Sequence, residues 1–233
     1  MMTAHHMNEK QSRAWHPEHV GWSTDIIPFL SRAADLIPQG GAYLECGVFF
    51  GRSLAFLGSI RPDIQLFALD PWADGESQGY TGPGEYEAIV NHRGGLYATF
   101  KHMMATHAPE VKFTELRGTT ANLLDLITFD EDFKHNAGFS GRPRLPPLDL
   151  VFIDGAHDYA NVVQDIAVLT PLVKTGGIVS GHDYNVDFVP ESVSKDDGRL
   201  GVINAVREAF PDRYQIGMGP AGEWSSCWWA VKQ

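Results

Sequence analysis

The chain has 233 residues, a hydrophobic content of 43% and a formal net charge of −11. This length suits one α/β domain with a well-buried core, and the acidic charge argues against a protein that binds nucleic acid irrespective of sequence. No apolar run reaches transmembrane length and the polar residues 1–10 show no secretory signal, so no membrane partner is predicted. Cys46 and Cys227 have neither CxxC spacing nor a disulfide framework and are interpreted as buried thiols of a cytoplasmic protein.

The N-terminal part is predicted to be an arm followed by a helix. Residues 1–21 are interpreted as the arm, and residues 22–233 as one domain. Apolar residues recur at helical spacing from about Thr24 to Ile37, after which Pro38 and two glycines end the helix.

The stretch Ala42–Ser53 predicts a strand, a tight turn and the start of a helix. The stretch begins with mostly apolar residues and then contains Gly47 and Gly51. Over 54–60 it is followed by apolar residues at helical spacing. Glycines permit unusual backbone angles and a close approach to a ligand, and the free amides at a helix start favour an anion. This stretch is therefore a candidate ligand-binding turn.

Two acids accompany the turn. Glu45 lies within the mostly apolar strand, and because a buried unpaired carboxylate is costly, we expect it to meet either the ammonium group of a ligand or a base such as Arg52. Asp70 ends the second predicted strand, 64–70. An acid about 20 residues beyond a glycine turn, at the end of the next strand, is the usual holder of a ribose diol. The pair indicates a nucleoside cofactor without naming it.

The rest of the chain continues the alternation of strands and helices. Further strands are predicted over 111–116, 148–154, 176–183, 214–217 and 227–231, helices over 85–107, 119–127, 159–173 and 201–210, and loops over 71–84, 128–147 and 184–200. We therefore predict an α/β fold: a doubly wound, mostly parallel sheet with helices on both faces and an antiparallel C-terminal strand pair.

Glycines or acids stand at the carboxyl ends of four predicted strands, at Gly47, Asp70, Asp154 and Asp183. Ligands of such sheets bind beyond these ends, where the strand order reverses. Asp154 is interpreted as a metal ligand, a general base or a helix cap. Asp183 has the same geometry, with a purely structural role as its alternative.

Two histidines and two further acids follow these strand ends. His157 is either a catalytic base or a loop residue bonded to backbone. His182 adjoins Asp183, and the alternation of side chains along a strand would point one of the two away from the site. Asp158 and Asp165 are interpreted as a first-turn residue and an exposed-face residue of the next helix.

Four segments together resemble class I S-adenosylmethionine-dependent methyltransferases, in particular the small-molecule O-methyltransferases of the catechol and macrocin type. They are residues 45–53, 68–72, 152–159 and 176–184. The resemblance implies a Rossmann-like methyltransferase fold with S-adenosylmethionine as cofactor. The cofactor-binding residues that it implies are Glu45, Gly47, Gly51, Ser53, Asp70, Trp72, Thr119 and Thr120.

The resemblance also implies a role for each of these positions. Glu45, Gly47 and Ser53 fall where the family holds the methionine end of the cofactor, and Asp70 falls where an acid binds the ribose hydroxyls. Trp72 would flank the adenine, although packing in the core is an equal alternative for this side chain. Thr119 and Thr120 fall where the loop after the third strand reaches the adenine.

Metal-dependent members of the family imply a further role for Asp154 and Asp183, which match their metal-binding carboxylates, with Mg²⁺ as the candidate ion. This chain departs from them in two places. It has His182-Asp183-Tyr184 where they often have Asp-Asp or Asp-Asn, and His157 where the catechol type has a lysine. The need for a metal is therefore open.

The sequence thus predicts an S-adenosylmethionine-dependent methyltransferase that acts on a hydroxyl of a small-molecule substrate, such as a sugar or natural product. Asp154 and His157 are the candidate catalytic residues. An NAD(P)-dependent oxidoreductase is one alternative, supported by the glycine turn and Asp70 but lacking GxGxxG. A non-catalytic nucleoside-binding module is the other. The acceptor and the oligomeric state, including a homo-oligomer, are left open.

Overall fold

The computed structural model describes residues 26–73, 94–129, 143–184, 198–217 and 226–233. The predicted arm over residues 1–21 lies outside this range, as do most of the predicted loops over 71–84, 128–147 and 184–200. The division into an arm and one domain therefore stays a prediction.

The strands of the described residues form one large sheet and one short ribbon. In chain order they are β1 (Ala42–Cys46), β2 (Gln65–Asp70), β3 (Thr114–Arg117), β4 (Thr128–Phe129), β5 (Arg144–Leu145), β6 (Leu148–Ile153), β7 (Val173–Gly181), β8 (Tyr214–Ile216) and β9 (Trp228–Val231). Seven of them make a sheet in the order β3-β2-β1-β6-β7-β9-β8, while β4 pairs with β5. The first five strands of that order run parallel, and β9 is antiparallel to both β7 and β8.

Helices cover both faces of the sheet. They are α1 (Ile26–Ala33), α2 (Arg52–Ile60), α3 (Leu96–His107), α4 (Leu123–Leu126), α5 (Tyr159–Leu169) and α6 (Gly198–Ala209). Leu44 of β1 belongs to an apolar cluster with residues of α5 and α6, whereas its neighbour Tyr43 belongs to a second cluster with residues of α1, α2 and α3. Because successive side chains of a strand point to opposite faces, β1 is buried on both sides. The predicted fold class is confirmed.

Several element boundaries differ from the predictions. The helix predicted to run to Val173 ends at Leu169, and a 3₁₀ turn with Pro171 near its start leads into β7. Proline has no backbone N–H to donate to the helix, which favours the end of the helix before Pro171. After the turn, β7 begins at Val173, three residues before the predicted Gly176. The third strand begins at Thr114 rather than at Val111.

The strand order places the cleft of the sheet between β1 and β6. The chain builds β1, β2 and β3 outward in one direction and then returns to add β6 on the other side of β1. Loops that leave the carboxyl ends of β1 and β6 therefore diverge, and the gap between them is where open α/β sheets bind ligands. No helix of the described residues is long and apolar enough to cross a membrane.

Gly47 and Asp154, the residues that follow β1 and β6, are packed directly against each other. Gly47 has a φ of 85°, and a Cβ built there would lie 2.1 Å from the carbonyl oxygen of Asp154. The amide of Asp154 donates to the carbonyl of Cys46, and that of Gly47 donates to the carbonyl of Leu69. Only glycine allows this approach, so the turn and the acid form one rigid unit.

We expect Gly47→Ala to destabilise the protein much more than Gly40→Ala. Gly40 also has a positive φ, of 72°, but has nothing within 4 Å of its Cβ position. Gly40→Ala should therefore cost roughly 1 kcal/mol of unfolding free energy, the strain of a left-handed alanine. Gly47→Ala should cost about 2 kcal/mol more, because its methyl group collides with backbone. Urea unfolding of both variants measures the difference, and equal costs would contradict the packing described.

Candidate active site

Asp70 fastens the glycine turn to the tip of β2. Its Oδ2 accepts the amides of Val48 at 2.8 Å and Phe49 at 2.9 Å, and its Oδ1 accepts the amide of Trp72 at 2.6 Å. Burial raises the pKa of Asp70, and the three amides oppose that rise. A carboxylate has about four acceptor positions, so roughly one is left for a ligand hydroxyl. The predicted ribose contact stays a prediction.

Glu45 is fully buried between two hydroxyl groups. Tyr43 donates to its Oε2 at 2.9 Å, and Ser53 donates to its Oε1. These hydroxyls, rather than Arg52, are its described hydrogen-bond partners. Burial raises the pKa of Glu45 from 4.5 to about 8, although both hydrogen bonds counteract the effect. Burial thus favours the protonated form of Glu45, and a cation that approached it would favour the carboxylate.

The start of α2 is a second polar feature of the turn. Gly51 precedes the helix with a φ of 84° and has no side chain to cap it. A Cβ there would lie 2.8 Å from the sulfur of Met104 and 2.9 Å from the ring of Phe100, so close packing requires this glycine too. The first amides of α2 thus lack a side-chain cap from Gly51, which favours an anionic group at this point.

Trp72 packs in the core of the structure. Its side chain is 1% exposed, its ring stacks on Phe100 with a centroid separation of 4.5 Å, and its Nε1 donates to the carbonyl of Phe49 at 3.0 Å. This corresponds to the core-packing alternative for Trp72. The predicted adenine contact remains a prediction, which requires one face of the indole to become accessible.

The loop after β3 is fixed by side-chain hydrogen bonds. Thr119 and Asn122 form a capping box. Thr120 is buried, and its Oγ1 donates to Asp165 Oδ1 at 2.5 Å. The prediction that Asp165 lies on an exposed helix face was wrong: the residue is 8% exposed, because the loop after β3 packs against α5. Asp158, by contrast, caps the start of α5 as expected of a first-turn acid.

Two acids and two histidines meet at the ends of β6 and β7. His157 Nε2 lies 3.0 Å from Asp183 Oδ2, and His182 Nδ1 lies 3.5 Å from Asp154 Oδ1 and 3.4 Å from Asp183 Oδ2. The structure therefore brings together both predicted catalytic residues and both predicted metal ligands, and adds His182 to them.

Protonation within this acid–histidine cluster is strongly coupled. The hydrogen bond that His157 donates to Asp183 raises the pKa of His157. Burial would raise the pKa of Asp183, but the two histidines hold it well below its ordinary value. Burial raises the pKa of Asp154, and His182 partly offsets that rise. Asp183 is thus the anionic member of the cluster, and His157, with its side chain 54% exposed, is the accessible member.

His182 and Asp183 face the same site because the strand has already ended. β7 stops at Gly181, and Asp183 has a φ of 61°, in the left-handed region. The alternation of side chains, which predicted that one of the two would point away, holds only within an extended strand. His182 Nε2 is hydrogen-bonded at 2.8 Å to Ser226, a residue that no sequence motif singled out.

The cluster has a donor set that a divalent cation could use. One ligand atom from each of Asp154, His182 and Asp183 lies within 4.8 Å of the others. Carboxylates suit Mg²⁺ and Mn²⁺, whereas an imidazole is more typical of transition metals. The hydrogen bond to Ser226 would orient the imidazole, as outer partners of metal-binding histidines do. A small cavity adjoins the cluster, lined in part by His157, Val202 and Trp228.

Residues 44–184 match the sequence model of a methyltransferase domain family. The chain belongs to this family. The match runs from β1 to the residues that follow β7, and so includes the glycine turn, Asp70 and the acid–histidine cluster. The resemblance inferred from the sequence is confirmed.

Solved structures share the fold at low sequence identity. The O-methyltransferase TomG of Streptomyces achromogenes, in complex with S-adenosylmethionine, has a TM-score of 0.59 and 17% identity, with 98% of this chain and 92% of that one covered. A structure described as an O-methyltransferase from Klebsiella pneumoniae has a TM-score of 0.57 and 15% identity, with 97% of this chain and 91% of that one covered. An rRNA methylase from Streptococcus thermophilus has a TM-score of 0.52 and 10% identity, with 92% of this chain and 100% of that one covered.

Curated relatives match only part of the chain. Diaminopimelate epimerase from Coxiella burnetii is 32% identical over 103 residues, which are 44% of this chain and 36% of that protein. The chain thus spans about a third of the length of the curated relatives that it matches. The name of these relatives differs from that of the methyltransferase domain family that residues 44–184 match.

We expect Glu45→Gln to change the pH dependence of stability between about pH 4.5 and 8. Because the pKa of Glu45 is raised to about 8, the folded protein binds one more proton there than the unfolded chain, and stability falls as pH rises. Glutamine does not titrate, so in Glu45→Gln the free energy of unfolding should fall less steeply with pH. The difference in slope should correspond to about one bound proton. Urea unfolding at a series of pH values measures it.

Asp63→Asn is the matched control for this titration. Hydrogen bonds from Arg61 lower the pKa of Asp63 from 3.8 to about 2. The ionised Asp63 therefore stabilises the folded protein fully above pH 3.8, and this stabilisation is lost only as the pH falls toward 2. Between pH 5 and 8 the free energy of unfolding of Asp63→Asn should therefore change with pH as it does in the parent protein. An unchanged slope in Glu45→Gln would show that Glu45 is ionised in the folded state.

Proposed function

We propose that the protein transfers a methyl group from S-adenosylmethionine to a hydroxyl of a small molecule. One observation carries the proposal: in a fold of the methyltransferase family, the backbone of the Gly47 turn lies directly against Asp154 of the acid–histidine cluster. A nucleoside-binding turn and a proton-accepting cluster thus share one edge of the sheet.

The residues around the turn match the polar groups of the cofactor. Glu45 would hold the ammonium group, the first amides of α2 would meet the carboxylate, and Asp70 would bind a ribose hydroxyl. When bound, the cofactor supplies an electrophilic methyl group on a sulfonium. The charge of that sulfonium would be favoured beside an edge that carries Asp70, Asp154 and Asp183.

His157 is proposed as the base that takes the proton of the acceptor hydroxyl. Its imidazole is the accessible member of the cluster, and Asp183 orients its Nε2. The imidazole of His157 would accept the hydroxyl proton as the acceptor oxygen gained the methyl group that the bound cofactor would supply. The protein's own contribution is alignment of the two reactants and removal of this proton.

A divalent cation is proposed at Asp154, Asp183 and His182. There it would lower the pKa of the acceptor hydroxyl and fix its direction. The two carboxylates are compatible with Mg²⁺, and the imidazole makes Mn²⁺ a better fit to this donor set.

The net charge of −11 supports a small acceptor over RNA, although an rRNA methylase shares the fold. TomG, which takes part in tomaymycin synthesis, is the neighbour that supports a natural-product acceptor. We also propose a cytoplasmic location, which is supported by two buried cysteines, Cys46 and Cys227, that form no disulfide.

Calorimetric titration tests the cofactor assignment. We expect S-adenosylhomocysteine and S-adenosylmethionine to bind and NADH not to bind. Asp70→Ala should weaken the binding of S-adenosylhomocysteine about tenfold or more, since a charge-assisted hydrogen bond is lost. Asp63→Asn, on the exposed turn before β2, is the control and should bind as the parent does. Binding of NADH alone would instead favour an oxidoreductase.

Titration with MnCl₂ and MgCl₂ tests the cation site. We expect Mn²⁺ to bind more tightly than Mg²⁺, and Asp183→Asn to weaken Mn²⁺ binding at least about tenfold, since it removes a charged ligand. Asparagine tolerates the left-handed backbone of this position, so the fold should persist. Asp158→Asn, at the exposed start of α5, should leave Mn²⁺ binding intact, because Asp158 is outside the proposed ligand set. Equal Mn²⁺ affinity in Asp183→Asn and the parent would refute the site.

A further inference from the structure

The indole nitrogen of Trp228 is a buried hydrogen-bond donor that the proposed mechanism does not use. Trp228 begins β9, and its side chain is 0% exposed. Its Nε1 has no hydrogen-bond acceptor in the described part of the chain. An indole nitrogen can only donate, and a buried donor without an acceptor is costly, so we expect an oxygen atom to bind at this position.

The nitrogen of this indole lies at the ends of β6 and β7. Nε1 is 2.8 Å from the Cβ position of Gly181, the last residue of β7, and the carbonyl oxygen of Ile153 adjoins the same position. Because Gly181 has no side chain, the edge of the indole reaches the strand ends. Ile153 ends β6 and directly precedes Asp154 of the acid–histidine cluster.

Trp228 and the acid–histidine cluster line the same small cavity. Asp154 and His182 contribute to its wall together with Trp228, and Val162 of α5 and Val202 of α6 belong to its apolar part. The cavity has room for about one water molecule. A buried donor and a carboxylate around a space of this size are typical of sites where proteins hold an internal water.

Asp154 is the polar residue of this wall that can best accept a hydrogen bond from such a water. Among the described residues, its side chain contacts His182 through Oδ1. A carboxylate has about four acceptor positions, so most of those on Asp154 remain for other donors. Both ring nitrogens of His182, in contrast, already have partners: Nδ1 contacts the carboxylates, and Nε2 is hydrogen-bonded to Ser226.

We propose that this cavity binds one ordered water molecule, which accepts a hydrogen bond from Trp228 Nε1 and donates one to the carboxylate of Asp154. Trp228 is thereby a positioning residue, because it fixes the direction of Asp154 through the water. The water needs neither a nucleoside nor a metal in order to bind. The site therefore does not depend on the proposed methyl transfer.

Nuclear magnetic resonance of the parent protein tests the water site directly. The chain has 6 tryptophans, so the ¹H–¹⁵N spectrum of the indole groups is simple, and sequential assignment identifies each signal. We expect a nuclear Overhauser effect between water and the indole proton of Trp228. Trp229 is the matched comparison: its Nε1 is also buried and unpaired in the described chain, but it does not line this cavity, and it should show no such effect. No water contact at Trp228, or equal contacts at both residues, would overturn the proposal.

Val202→Ile tests the same site by filling it. Val202 is 5% exposed and lines the cavity, so the added methyl group should displace the water. The water contact of Trp228 should then disappear and the melting temperature should fall, since Nε1 is left without an acceptor. A dry cavity predicts the opposite sign, because a methyl group that fills empty apolar space is stabilising. A higher melting temperature in Val202→Ile would therefore contradict the water site.

Calorimetric titration with MnCl₂ separates a positioning role from simple packing. Trp228→Phe removes the N–H group and keeps an aromatic ring, and Trp229→Phe makes the same change at the next residue of β9. Trp228→Phe should weaken Mn²⁺ binding about tenfold, as the loss of an outer partner of a metal ligand does, while Trp229→Phe should bind Mn²⁺ as the parent does. If Trp228→Phe does not fold, Val202→Ile takes its place.

The outcomes of this titration distinguish the water site from the proposed cation site. Equal Mn²⁺ affinities in Trp228→Phe and Trp229→Phe would show that Trp228 only packs in the core, and the positioning role would be wrong. Failure of the parent protein to bind Mn²⁺ would refute the proposed cation site. In that case the water contact of the Trp228 indole still decides whether the water site exists.

Discussion

The candidate site depends on the contact between the backbones of Gly47 and Asp154. Strands β1 and β6 are neighbours in the sheet, and their outgoing loops touch at a point where even a methyl group does not fit. Because of this contact, the residues that would hold a nucleoside and those that would accept a proton are fixed relative to each other.

Several acids share this edge of the sheet, and each is accommodated in a different way. Asp70 accepts three backbone amides, Glu45 accepts two hydroxyls, and Asp183 contacts two imidazoles. The acids therefore differ in their tendency to ionise. Burial raises the pKa of Glu45 and Asp154, while the histidines lower that of Asp183. Such an edge attracts a cationic ligand and still contains one firmly ionised acid.

The fold and the general position of the site could be predicted from the sequence, because they depend on local patterns. Apolar runs that end in Gly47, Asp70 and Asp154 mark strand ends, and parallel strands bring such ends to one edge. The burial of Trp72 was open in the sequence, since an aromatic after a strand suits a pocket wall and a core equally.

Three features were beyond the reach of sequence patterns because they depend on packing between distant segments. The exposure of Asp165 was mispredicted, since the loop after β3 covers a helix face that periodicity alone assigns to solvent. The joint orientation of His182 and Asp183 follows from one left-handed residue beyond the strand. Ser226 contacts His182 across a separation of 44 residues, and no motif connects them.

The hydrogen bond between His182 and Ser226 has a consequence for the order in which the site forms during synthesis. Ser226 precedes β9, the last strand of the described chain, and β9 separates β7 from β8. A nascent polypeptide that has already emerged through β7 contains both aspartates and both histidines of the cluster, but not the hydroxyl that orients one imidazole. The cluster is therefore completed only after residue 226 has been synthesised, so a ribosome-bound chain would form the glycine turn well before His182 acquires its hydrogen bond to Ser226.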